Sequence, residues 1–387
     1  MRKISLKNKL EILILLFSCA AVYFVVWEFT GEWPFSENPY NSYVLQARAW
    51  LEGHMDLGRN YSHLEIAEYA GKYFVSFPPI ASVILLPFVI LGIPDGVAAL
   101  IISLSGAYFT YKLCEKHKVE NPVFWSLFLM VASNVLLVGV NAWVWFIAQN
   151  ISFLFTVSAI YFASKKESKT AFFLWALAVG ARPFQIVYLP LLVCILTDGF
   201  KLVNIKNLFK SFLPAILVGM GYMLYNYLRF DNVFEFGHNY LPEFVEAENG
   251  QFHLSYMWEN LKSLVRLPGL GEGGILEFPR FNGVSVFLVF PIVIYSLIFS
   301  IKNIKNPTVA VGLGSVIVHV LLIVSHRTMG GFHFGNRYFI DVMPCLFYLL
   351  VICLPRESKM IKITALPLFL WGMGVNVVGI ISMFLNP

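Results

Sequence analysis

Eleven apolar stretches, separated by short loops that are basic at every second turn, constrain this chain more than any other feature. They occupy about 10–29, 94–113, 122–140, 147–163, 170–182, 184–198, 211–228, 283–301, 308–325, 337–354 and 363–385. A bilayer core takes about 20 apolar residues per helical crossing. Backbone polar groups at that depth must be satisfied internally, which leaves helices or closed barrels. Runs of this length, without strand alternation, predict an all-α polytopic membrane protein with about eleven transmembrane helices. Composition agrees, since hydrophobic residues make up 58% and charged residues 13% of 387. A soluble domain carries about a quarter charged residues.

The charges set the expected orientation. Eighteen of the 28 basic residues fall in the N-terminal segment and in every second loop, among them Lys7, Lys112, Lys166, Lys206, Lys302 and Lys359. Cytoplasmic loops carry such an excess of Lys and Arg, so the N-terminus is expected in the cytoplasm and the C-terminus outside. The same pattern accounts for the net charge of +5 and leaves no basic patch for nucleic acid. Met1-Arg2-Lys3 followed by an apolar run, with no small-residue cleavage site before Trp27, predicts a retained signal-anchor helix. The five cysteines lie in or beside apolar runs, so no disulfide framework is expected.

Within one transmembrane domain, 1–387, two long loops are expected on the outer side: 30–93, with interfacial helices, and 229–282. The segment 78–92 is apolar, but a full crossing there would invert every later basic loop. It reads as a re-entrant or interfacial helix started by Pro78-Pro79. Tyr40, Tyr43, Ala47 and Trp50 share a helical spacing that predicts a short amphipathic helix over 39–53, ended by Gly53. The outer loops, with Glu28 at the edge of the first, hold 15 of the 23 acidic residues and many aromatics, so they are ordered and functional rather than plain connectors.

Arg182, Arg229 and Arg337 stand at outer span ends, where positive-inside statistics do not put them. A guanidinium stays charged and binds phosphate bidentately. The competing reading pairs each arginine with lipid headgroups or with an acid such as Asp231 or Asp341. Glu37 and Glu65 lie among aromatics in the first loop. Glycosyl transfer needs a carboxylate to accept the acceptor's proton, and positive charge from arginine or a metal on the departing phosphate.

Several pieces in order carry a family resemblance: Tyr43-Val44-Leu45-Gln46-Ala47 with Leu51-Glu52-Gly53; Gly71-Lys72-Tyr73-Phe74 with Pro78-Pro79; Ala181-Arg182-Pro183; Asn226-Tyr227-Leu228-Arg229-Phe230 with Glu235-Phe236-Gly237; and Phe334-Gly335-Asn336-Arg337-Tyr338 with Pro344. The chain resembles the GT-C superfamily of integral-membrane glycosyltransferases, in particular bacterial members related to protein mannosyltransferases and aminoarabinose transferases. The resemblance implies transfer of a sugar from a polyprenyl-phosphate-linked donor to a glycan, lipid or protein acceptor outside the cytoplasmic membrane. It implies a working carboxylate in the first loop, here Glu37 or Glu65, phosphate contacts from Arg182, Arg229 and Arg337 helped by Lys72 and His333, and acceptor or metal contact from Glu235. A divalent cation, Mg or Mn, is the one cofactor it leaves room for. The family's Asp just before the tyrosine is replaced here by Glu37-Asn38-Pro39-Tyr40. The rival readings are a flippase or transporter of lipid-linked glycan and a structural membrane subunit.

Overall fold

The structure, a computed structural model, describes residues 5–36, 38–201, 205–271 and 276–385. In chain order its elements are α1 (Leu6–Thr30), α2 (Ser42–Leu51), β1 (Ile66–Tyr69), β2 (Lys72–Val75), α3 (Ile80–Ile90), α4 (Asp95–Lys116), α5 (Pro122–Met130), α6 (Val135–Val140), α7 (Val144–Ser164) and α8 (Ser168–Ala181). They continue with α9 (Leu189–Leu196), α10 (Ile205–Phe230), α11 (Pro242–Val245), α12 (Met257–Ser263), β3 (Gly269–Leu270), β4 (Leu276–Glu277), α13 (Val286–Val289), α14 (Ile292–Lys302), α15 (Pro307–Ser325), α16 (Met343–Cys353) and α17 (Lys359–Leu385).

The chain is a helical multi-pass membrane protein, and all eleven expected spans are helical. Six of the helices (α1, α4, α7, α10, α15 and α17) are continuous, long and apolar enough to cross a bilayer. The other five spans depart from the sequence expectation because they are short or broken. The span at 122–140 divides into α5 and α6 at Val131–Asn134. Pro291, which has no N–H to continue a helix, separates α13 from α14. Two spans start as 3-10 turns, Pro183–Tyr188 before α9 and Arg337–Val342 before α16.

Breaks at membrane depth free backbone groups that need partners, and here the breaks satisfy one another. Asn134 N–H donates to Val289 O at 3.0 Å. Asn134 Oδ1 accepts from Asn336 N–H at 3.1 Å, and Asn376 Nδ2 donates to Val289 O at 3.0 Å. The second pair of breaks is tied by Gln185 Nε2 donating to Asp341 O and Gln149 Nε2 donating to Arg337 O, both at 3.0 Å. A buried amide holds each break.

The two ends of the bundle differ. At one end Lys166 pairs with Asp198 and Lys165 with Glu167, both at 2.6 Å, and Lys112 pairs with Glu115. The other end carries the long loops. There the segment expected as re-entrant is α3, whose 11 residues rise only about 16 Å, so it does not cross. It packs on α2 and returns to α4 through Gly92. α2 lies within the expected amphipathic helix, with Tyr43 and Ala47 buried and Gly53 at φ 82° beyond its end.

The hairpin β1–β2 was not legible in the sequence. Ala70 and Gly71, at φ 50° and 74°, form a two-residue turn with both residues left-handed, which matches strand twist and pairs Ile66 with Val75. The second long loop folds over the end of α15, where Asn260 Nδ2 donates to Val324 O at 2.9 Å and His326 O at 2.7 Å.

Candidate functional site

At the loop end, a cavity of about 460 Å³ opens where the two long loops meet the starts of α7, α9 and α16. Its walls are aromatic, with Tyr43 from α2, Phe77 after β2, Trp143 and Trp145 around the start of α7, Phe184 and Tyr338. Four charged side chains line it: Glu65, Glu243, Arg182 and Arg337.

Arg337 is 3% exposed. Its Nη2 donates to Gly330 O at 2.6 Å, and its Cζ lies 5.5 Å from the Phe146 ring centroid and 5.2 Å from that of Tyr338. Nε and Nη1 are buried without a hydrogen-bond partner among the described residues. Leaving such donors unpaired costs free energy. Gly330 makes room: at φ 106°, a Cβ there would lie 3.0 Å from Nη2.

Arg182 follows α8 in extended conformation, φ −141° and ψ 104°, which turns its side chain back over the site. Its Nε donates to Asp341 Oδ2 at 2.9 Å, and its Cζ lies 5.0 Å from the Tyr338 ring centroid. The alternative of pairing with an acid is therefore what Arg182 shows. Gln149 Nε2 also donates to Asp341 Oδ2, at 3.3 Å, so the 3-10 turn of the tenth span orients both arginines.

Glu65 immediately precedes β1, and its carbonyl accepts from Ser76 Oγ at 2.7 Å, so the hairpin fixes its backbone. Trp145 Nε1 donates to its Oε1 at 2.7 Å. Burial pushes its pKa up to about 7, and the charge of Glu243 adds to the rise, while the Trp145 bond and the two arginines oppose it. A carboxyl poised near neutrality suits proton transfer. His238 and His326 also line the cavity, and burial pushes both pKa values down to about 4. They are neutral at pH 7, so the positive charge on the walls comes from the two guanidinium groups.

The remaining sequence candidates lie elsewhere. Glu37 falls outside the described residues. Lys72 is exposed on β2, and neither it nor His333 lines the cavity. His333 sits behind Gly330 and Gly331, its Nδ1 3.0 Å from Gly331 O. Burial and the Arg337 charge push its pKa down to about 3, so it backs the arginine as a neutral ring. Glu235 closes its own turn, accepting from Gly237 N–H and Asn239 Nδ2, both at 2.6 Å. Arg229 donates through Nη1 to Val75 O at 2.6 Å and stacks on Tyr225 and Phe230, 4.0 and 4.6 Å from their centroids, leaving Nε unpaired away from the cavity. It fastens α10 to the hairpin. Arg229→Ala should therefore lower the melting temperature in detergent by several degrees, since a charged hydrogen bond contributes about 1.5–3 kcal/mol, while lipid-phosphate affinity stays as in the parent protein.

Sequence reasoning does not single out Trp145, Glu243, Gln149 or His238 for the site, and it reaches Asp341 as a partner for an arginine. Among the described residues no three His, Cys, Asp or Glu side chains come together to hold a metal ion.

No family model matches the chain, and no curated protein matches it in sequence. Among solved structures, ArnT from Cupriavidus metallidurans in the apo state is similar, with a TM-score of 0.55 at 11% identity over 94% of this chain. The chain spans 62% of the length of ArnT. The likeness shows that the chain shares the fold of ArnT, a helical membrane architecture as expected from the sequence.

Proposed function

We propose that the protein is a membrane glycosyltransferase that moves a sugar from a polyprenyl-phosphate-linked donor to a hydroxyl acceptor. One observation carries this reading: in an aromatic cavity, Arg337 has two guanidinium nitrogens unpaired among the described residues while Glu65 is poised near neutrality. The aromatic walls offer faces to a sugar ring and its prenyl chain. Arg337, with Arg182 beside it, holds the donor phosphate.

Glu65 accepts the proton of the acceptor hydroxyl as its oxygen attacks the anomeric carbon. The bond from that carbon to the phosphate oxygen breaks, and the electron pair leaves on the lipid phosphate, where the guanidinium groups stabilise the added charge. Attack opposite the leaving group inverts the anomeric centre. Among the described residues the spans hold few ionisable groups, and His319 is tied to Tyr188 at 2.8 Å, which favours chemistry at the loop end over a path through the bilayer.

The test is transfer of radiolabelled sugar from a panel of polyprenyl-phosphate sugars by the protein in liposomes. The base must be ionised, so transfer should rise about tenfold per pH unit below about 7 and level off above it, following the raised pKa of Glu65. No transfer from any donor, or a flat profile between pH 5.5 and 7.5, contradicts the reading.

The site belongs on the outer face of the cytoplasmic membrane, with the Lys-rich end in the cytoplasm. In cells, an impermeant thiol reagent should then label cysteines placed at Asp56 and Glu246 but not one placed at Lys166. The reverse pattern overturns this orientation.

A further inference from the structure

The second long loop carries a helix whose outer face the site does not use. Leu254–Tyr256 forms a 3-10 turn that runs into α12, and Leu264 and Val265 add a further turn, so 254–265 is one helical run. Leu254, Trp258, Leu261 and Val265 recur along it at i, i+4, i+7 and i+11. At 3.6 residues per turn they fall within an arc of about 60°. They are 77%, 67%, 40% and 57% exposed, an apolar stripe of a kind that surfaces facing water rarely show.

The run has two further faces. On one, Asn260 is buried, and Met257 and Leu264 beside it are partly buried. On the other, Ser255, Glu259, Lys262 and Arg266 are exposed, with Lys262 paired to Glu259 at 2.7 Å. Around the axis the order is protein-facing, apolar, polar. A helix lying at a lipid boundary against a membrane protein needs that order.

The depth of the run is set by α15. That span has 19 residues, a rise of about 28 Å, close to the hydrocarbon thickness of a bilayer, about 30 Å. Its last turn therefore lies at headgroup level. The run is fastened there: Asn260 Nδ2 donates to Val324 O and His326 O, and His253 N–H donates to Ser325 O at 2.9 Å. Ile317, Val318 and Leu321 of the same span are exposed and apolar, so lipid surrounds the element that carries the run.

We propose that 254–265 docks on the membrane itself, as an interfacial helix in the leaflet at the loop end of the bundle. Leu254, Trp258, Leu261 and Val265 enter the boundary between headgroups and acyl chains, while Glu259, Lys262 and Arg266 stay with headgroups and water. Tryptophan favours that boundary. Lys262 Nζ lies 5.3 Å from the Trp258 ring centroid, an apolar stem along the ring with its charge toward water. Gln251 and Phe252, just ahead of the run, line the aromatic cavity. Docking thus holds one cavity wall at the level where a membrane-borne molecule arrives. The inference does not depend on sugar transfer.

The test is fluorescence of the full chain in phosphatidylcholine liposomes, with the emission of Trp258 taken as the difference between the parent and Trp258→Phe. Phosphatidylcholine brominated in its acyl chains should quench this emission about fivefold more than iodide supplied on both sides of the membrane, as a ring about 5–10 Å inside the headgroup boundary requires. Combining Trp258→Phe with Glu259→Trp moves the ring to the polar face, and the preference should reverse. Both positions are exposed, so melting temperatures should equal the parent's and show that the variants fold. Iodide quenching Trp258 as well as the bromolipid does would put the stripe in water and overturn the proposal. Shielding from both quenchers would overturn it too, by showing a partner protein or a second copy on the stripe. The same preference at positions 258 and 259 would remove the assigned faces.

Discussion

Replacing Glu65 with glutamine should reduce sugar transfer by about 10²–10⁴-fold, the range a positioned general base contributes, with donor affinity unchanged within about threefold. The glutamine keeps an oxygen to accept from Trp145 Nε1, so the geometry survives while the proton acceptor is lost. Stability should move in the opposite direction. Because the folded protein holds the carboxyl at about 7, above its ordinary value of 4.5, ionisation opposes folding, and the parent protein loses stability as pH rises through that interval. The glutamine variant does not ionise, so its melting temperature should equal or exceed the parent's at pH 8, with the difference vanishing near pH 4. Full transfer activity in the variant removes Glu65 from the base role and turns attention to Glu37.

Arg337→Ala should weaken donor binding by about 30-fold or more, as expected when one partner of a buried charged pair is removed. Arg337→Lys should recover only part of the loss, because an ammonium lacks the fork that engages two phosphate oxygens. The companion readout is thermal stability. In the ligand-free protein, Nε and Nη1 of Arg337 are buried and unpaired, so the native fold bears their desolvation cost. Their removal offsets much of the lost bond to Gly330 O and the lost stacking on Phe146 and Tyr338. The melting temperature should therefore fall far less than in Arg229→Ala. Large binding loss with small stability loss is the signature of a group held for a ligand.

The contrast between these arginines marks where the sequence stopped being legible. All three stand at span ends in the same kind of aromatic setting, and sequence position treats them alike. What separates them is tertiary: Arg229 meets the carbonyl of Val75 across the hairpin, Arg182 meets Asp341, and Arg337 pairs with no acid among the described residues. The hairpin itself was invisible because its strands are four residues long, too short for an alternation signal, and its turn uses Ala70 where glycine or asparagine is the usual cue.

The spans were legible because twenty apolar residues in lipid admit few alternatives. Their breaks were not, since Asn134, Asn376 and Gln149 stabilise interruptions only by reaching segments far along the chain. Those breaks make the site: two spans that start as 3-10 turns let Arg182, Asp341 and Arg337 meet at one depth. The re-entrant segment was legible for a different reason, because counting it as a crossing would have inverted every later charged loop.

The central claim is that the aromatic cavity holds a lipid phosphate on Arg337. The most direct measurement is mass spectrometry of the lipids extracted from the purified protein and from its Arg337→Ala variant, prepared in parallel from the same membranes. The account predicts a polyprenyl phosphate, with or without its sugar, enriched about tenfold in the parent over the variant, as tighter binding by that factor implies. Equal amounts in both preparations, or none in the parent protein, contradict it.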